Sequence, residues 1–176
     1  MRIAGVDDGY FPLKYKGGKG KTVLLSAVFE NRKLTKVDFD FITVDGTDAT
    51  NVYKRLAKGE VNLLDGITFA GFNYIDPDET DVVFFSRKPN IEEVERALRK
   101  HFNDDRANVI LRVMKDLKEI PTPKGAVYVY TLLDESLVKE IVAESQTFSK
   151  TPFQLSVASE LSKKISRFLL TSLNLL

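Results

Sequence analysis

A chain of 176 residues, 43% hydrophobic and 29% charged, can bury a substantial core and reads as one soluble domain spanning residues 1–176. Its 26 basic and 25 acidic residues leave a net charge of +1, which argues against a strongly basic nucleic-acid binder but allows a local basic patch. The lack of cysteine and the single histidine, His101, exclude disulfides, thiol chemistry and histidine-cluster metal sites, so a bound metal must sit on oxygens.

The first third reads as sheet. "RIAGVDD" is a short apolar run, "TVLLSAVFE" is rich in β-branched and apolar residues, and "NRK" marks a turn. "KVDFDFITV" alternates, with Val37, Phe39 and Phe41 on one side and Asp38 and Asp40 on the other, so the second and third strands are expected to form a hairpin. Between the first two strands, "LKYKGGKGKT" suggests a phosphate-binding loop through its "GKT". That motif needs a glycine five positions before Gly20, where Tyr15 stands, and the segment enters a strand rather than a helix. A mobile basic loop is the better reading, with Lys14, Lys16, Lys19 and Lys21 as candidate nucleic-acid contacts.

After residue 45 helix and strand alternate. "TDATNVYKRLAKG" is expected to be helical, "VNLLDG" and "DVVFFSRK" strands. "NIEEVERALRKHF" starts at a cap-like Asn90 and aligns Ile91, Val94, Leu98 and Phe102. "RANVILRVMKDLKEI" reads as a further helix, "AVYVYTL" as a strand, and "DESLVKEIVAES" and "VASELSKKISRFLLTSL" as two closing helices. The pattern implies an α/β fold, a mixed sheet covered by helices on both faces. No apolar run approaches the roughly 18 residues needed to cross a bilayer, and a signal-peptide pattern is lacking. A cytoplasmic protein with no membrane partner is expected; the oligomeric state is left open.

Three segments repeat an apolar run, then Asp, then Gly: "AGVDDG", "ITVDGTD" and "NLLDG", which place Asp7 and Asp8, Asp45 (with Asp48 nearby) and Asp65 at strand ends. Strand ends in a helix-covered sheet gather at one edge, where converging carboxylates favour a divalent cation. Asp-Gly is also ordinary turn chemistry, and either use fits the pattern. In "TFAGFNYID", Phe69, Phe72, Asn73 and Tyr74 could grip a base, although the two phenylalanines read more simply as core. Ser26, Ser86 and the serine-rich tail have no histidine partner in range by sequence, which argues against a serine hydrolase, and His101 reads as a solvated helix-end residue.

The segments "IAGVDDGYF", "FITVDGTDATNVYKRL", "LLDGITFAGFN" and "RKPNIEEVERALRKHF" resemble the archaeal domain of unknown function 99 family over residues 1 to about 130. That family is similar to endonuclease V, so the resemblance implies a ribonuclease H-like fold and cleavage of DNA or RNA with carboxylate-bound magnesium or manganese. It further implies that Asp7, Asp45 and Asp65 are the catalytic metal ligands and that the family's lysine falls at Arg87 or Lys88, with Lys88 assisting at the phosphate; Arg87 and, from its own segment, Asn73 are nucleic-acid candidates beside the acidic site. Asp45 stands where the nuclease has glutamate. Ser156 and Ser159 replace an arginine and a His or Asp, and "DFDFITV" replaces an aromatic-proline wedge. These departures keep a second expectation open, a catalytically impaired nucleic-acid- or protein-binding module on the same fold.

Overall fold

The computed structural model describes residues 1–172 and 174. In chain order its strands are β1 (Arg2–Asp8), β2 (Lys21–Glu30), β3 (Lys33–Thr43), β4 (Val61–Asp65), β5 (Thr68–Phe69), β6 (Asn73–Tyr74), β7 (Val82–Phe85), β8 (Lys118–Ile120) and β9 (Val127–Thr131). The helices are α1 (Ala49–Arg55), α2 (Ile91–His101), α3 (Arg106–Lys115), α4 (Glu135–Ser145) and α5 (Phe153–Thr171). Seven strands form one mixed sheet in the order β3-β2-β1-β4-β7-β9-β8, while β5 and β6 make a separate small hairpin.

β2 and β3 pair antiparallel across the turn at Asn31 and Arg32, both in the left-handed region, which forms the expected hairpin. β1 runs antiparallel to β2 but parallel to β4, with Gly5 beside Leu63 and Val6 beside Leu64. β4 is in turn parallel to β7. The carboxyl ends of β1, β4 and β7 therefore share one edge, and the next step of the β1–β4 register sets Asp7 beside Asp65.

Alternation along the central strands feeds two apolar layers. Val6, Leu24, Ile42 and Leu64 pack with Ala49, Val52 and Tyr53 of α1, and Val83 packs with Leu98 of α2 and Ile110 and Val113 of α3. On the opposite face Leu63, Val82 and Phe84 meet Val138 and Ile141 of α4 and Leu155 of α5, while Leu25, Ala27 and Phe29 meet Ala158 of α5. Each fully buried aliphatic side chain contributes about 1.5–3 kcal/mol. α5 approaches closely only because Gly5 lacks a side chain: a Cβ there would lie 2.2 Å from the Gln154 carbonyl oxygen.

Local signals explain most boundaries. The Asn90 side chain accepts the Glu93 N–H, and α2 carries Glu92 and Glu93 in its first turn and Arg99, Lys100 and His101 in its last, both matched to the helix dipole. The helix expected over "RANVILRVMKDLKEI" stops at Lys115, and Lys118–Ile120 becomes the edge strand β8 paired with β9. α5 begins at Phe153, earlier than the apolar pattern placed it; the expected helix end at Leu173, with Leu175 and Leu176, lies outside the described residues. No helix among the described residues is long and apolar enough to cross a membrane.

Candidate metal and nucleic-acid site

The site grows from the ends of two parallel strands. β1 delivers Asp7 to the α5 side, where it is 6% exposed, and β4 delivers Asp65, an exposed residue at the strand's end, to the same side. The Asp8 backbone N–H donates to Asp7 Oδ1 at 2.8 Å. Burial first, then the charge of Asp8, push the Asp7 carboxyl up to about 7, against hydrogen bonds from the Asp8 N–H and the Ser159 side chain. Crowding by surrounding protein atoms, then the Asp7 charge, raise Asp65 to about 6, while Lys163 opposes the shift. Asp8 is raised as well, by burial first, although the Ala70 N–H that donates to its Oδ2 favours the charged form. These groups titrate as a cluster rather than singly.

α5 lies along this edge and tracks β1 past its end. Ser159 contacts Asp7, Lys163 acts on Asp65, and the Ser162 hydroxyl donates to the Asp8 carbonyl at 2.6 Å. Ser159 thus occupies the site, as its place in the resemblance implied, whereas Ser156 is exposed. Lys163 escaped the sequence reading; its signal is the four-residue step from Ser159 on one helix face.

Asp45 sits elsewhere. Its backbone is left-handed, with φ of 56°, and its carboxylate clasps two loops, Oδ1 accepting the Phe72 N–H at 2.8 Å and Oδ2 the Gly17 N–H at 2.9 Å. Asp48 is similarly engaged by the Thr43 N–H and hydroxyl and by the Asn73 amide. Burial raises the Asp48 carboxyl, but those hydrogen bonds outweigh it and hold the group below its ordinary value. Asn73, expected on the nucleic-acid side, is fully buried; its Nδ2 donates to the Thr43 carbonyl and Asp48, and its Oδ1 accepts the N–H of Ala49 and Tyr74. Its amide is consumed in holding the start of α1. The loop carrying Lys14, Lys16, Lys19 and Lys21 presents all four lysines to solvent, yet it is fastened rather than loose: Gly17 bonds Asp45, Gly18 donates to the Val44 carbonyl at 2.9 Å, and the Val44 N–H returns to Gly20. Arg87 and Lys88 are exposed just past β7.

Among the described residues no three Asp, Glu or His side chains are arranged to hold a metal ion together. The pair Asp7 and Asp65 nonetheless fits a magnesium-type ion, which commonly takes one or two carboxylates and leaves its other positions to water and phosphate oxygens. Two neighbouring carboxyls held back from ionising, first by burial and then by the charge of Asp8 on Asp7 and of Asp7 on Asp65, are a donor set that such a cation favours.

Comparison with known proteins identifies the family and the fold. The endonuclease dU family description matches residues 1–166. The chain belongs to the endonuclease dU family. A "UPF0215 protein" of Sulfurisphaera tokodaii is 48% identical over 174 residues, covering 97% of this chain and 98% of that relative. A protein of unknown function from Archaeoglobus fulgidus superposes with a TM-score of 0.76 at 24% identity, covering 93% of this chain and 97% of that one. Ciona intestinalis endonuclease V, solved with a 23-mer DNA containing an inosine followed by a ribo-adenosine, gives a TM-score of 0.54 at 13% identity, over 96% and 86% of the two chains. The fold of this endonuclease dU family member is thus endonuclease V-like, a ribonuclease H-like mixed sheet with helices on both faces.

Proposed function

We propose that the chain is a metal-dependent endonuclease acting on DNA or RNA at the edge formed by β1 and β4. The observation that carries this reading is the side-by-side placement of Asp7 and Asp65 at the carboxyl ends of parallel strands, with Lys163 beside them. Asp7 and Asp65 would hold a magnesium or manganese ion, which when bound supplies charge neutralisation and polarisation of a phosphoryl oxygen. Ser159 orients the Asp7 carboxylate. Lys163, exposed beside Asp65, draws a phosphate toward the pair, and Lys88 and Arg87 offer further cations from the neighbouring strand β7. The family description, endonuclease dU, supports a nuclease and makes deoxyuridine-bearing strands the first substrates to try.

One observation favours a second reading, a binding module without cleavage: the carboxylate of Asp45, the third expected ligand, is occupied by two backbone amides. A cleavage assay separates the two. Labelled oligonucleotides carrying deoxyuridine, inosine, no lesion or a branch are incubated with magnesium, manganese or EDTA. The nuclease reading expects metal-dependent cutting of at least one substrate, lost in Asp65→Asn. Binding without cutting under every condition overturns it in favour of the module.

A further inference from the structure

Two residues beyond Asp8 the chain presents an aromatic ring that the fold does not use. The Tyr10 backbone is fixed on both sides: its N–H donates to the Ser166 hydroxyl at 2.7 Å, and its carbonyl accepts the Thr22 hydroxyl at 2.7 Å. Gly9 is pressed against the same groups, so that a Cβ there would lie 2.6 Å from Ser166 Oγ and 2.8 Å from Thr22 Oγ1. The ring is 38% exposed and belongs to none of the apolar clusters. The Arg167 guanidinium lies over it, 4.8 Å from the centroid. A rigid backbone thus holds out to water a ring whose burial would have stabilised the fold.

Its position gives the ring a use. Ser159, Lys163 and Arg167 follow one another at four-residue steps and line one face of α5, meeting Asp7, Asp65 and Tyr10 in turn. Each step advances about 6 Å along the helix. A strand whose phosphate lies at the carboxylates and Lys163 therefore brings a neighbouring base, not a distant one, over Tyr10. Aromatic rings stack on any base through its π-face, and a guanidinium adds a cation–π contact and a charge for the next phosphate.

We propose that Tyr10 and Arg167 form a stacking platform for an unpaired nucleobase beside the phosphate that Lys163 and the cation of Asp7 and Asp65 would hold, which rests on the nucleic-acid reading above. Because a paired base is already stacked in its helix, the platform favours single strands over duplex and tolerates many sequences.

The test uses the full chain with Asp65→Asn, in which no cutting is expected, and single-stranded DNA and RNA carrying 2-aminopurine. Fluorescence quenching reports stacking, and anisotropy reports affinity. The Asp65→Asn chain is expected to quench the probe. Adding Tyr10→Phe keeps the quenching, whereas Tyr10→Ala abolishes it and weakens binding about tenfold or more. Arg167→Ala weakens binding with partial quenching. The platform is overturned if Tyr10→Ala binds and quenches like its background, or if an abasic strand binds as tightly as an intact one. The DNA and RNA arms tell which strand the platform accepts. Outcomes for the two proposals separate: quenching by the Asp65→Asn chain, with no cutting by the unsubstituted chain under any metal condition, removes the nuclease reading alone. Cutting left unchanged by Tyr10→Ala, with quenching intact, removes the platform alone. Failure to bind any strand removes both.

Discussion

Asp65 and Asp45 arise from the same local wording, an apolar run, an aspartate and a glycine, yet the fold treats them oppositely. Asp45 is saturated: two backbone N–H groups end on its carboxylate, and the buried Arg106 braces the same knot by donating to the carbonyls of Asp45 at 2.9 Å and Phe72 at 3.0 Å. The carboxylate of Asp65 faces Asp7 instead, with a lysine rather than an amide to offset its charge. A carboxylate met by backbone donors closes a structure, while one met by another carboxylate stays open to a cation.

The strongest test of that contrast is to neutralise the open pair. Asp7→Asn or Asp65→Asn is expected to cut metal-dependent cleavage about 100-fold or more, while thermal unfolding in EDTA shows the variants no less stable, since each substitution removes a repulsion. A clear fall in melting temperature would mean that the pair serves the fold. Neutralising the saturated site should do the reverse. Asp45→Ala frees two backbone donors and lowers stability by about 2 kcal/mol, readable in urea unfolding, while manganese binding at Asp7 and Asp65 persists. Loss of manganese binding without loss of stability would restore Asp45 to the ligand set that its sequence suggested.

Proton linkage sharpens the comparison further. The folded-state values of Asp7, about 7, and Asp65, about 6, lie above the ordinary carboxyl value of 3.8, so between about pH 4 and 7 the native state binds more protons than the unfolded chain. Without metal, stability is therefore expected to rise as pH falls from 7 toward 4, by on the order of 1–3 kcal/mol after allowing for the water around Asp65. Asp40, Asp48 and Asp104 are shifted the other way and act only below that window. Asp7→Asn should flatten the slope, and an unchanged profile would disprove the coupling. The smallest effect belongs to Ser159→Ala. Losing a hydroxyl that favours ionised Asp7 should move the acidic limb of the cleavage–pH profile upward, leaving the plateau rate nearly intact.

Much of this arrangement was legible in the chain. Alternation in "KVDFDFITV" and the cap and dipole pattern of "NIEEVERALRKHF" are local signals, and both elements form as read. The pairing of Asp7 with Asp65 follows once strand ends share an edge. What the sequence could not disclose was which partner each carboxylate meets. The amides of Gly17 and Phe72 lie 28 and 27 positions from Asp45, and only the folded loops bring them together. Asn73 reads as a polar residue that could grip a base, but three of its four hydrogen bonds depend on Thr43, Asp48 and Ala49 arriving from another segment. Short "KEI" failed as helix because pairing with β9 overrode its continuity with the preceding apolar pattern.

The hydroxyl contacts from α5 to the end of β1 bear on how the site comes into being. Ser162 reaches Asp8 across 154 positions, and Ser166 reaches Tyr10 across 156. Contacts that close so much chain are costly in entropy and late in kinetics. In a refolding experiment the β2–β3 hairpin can form by local pairing, but the acidic edge acquires Ser159, Lys163 and its aromatic neighbour only when α5 docks. Recovery of strand binding would then trail recovery of sheet signal, making ligand capture a clock for the closing event of folding.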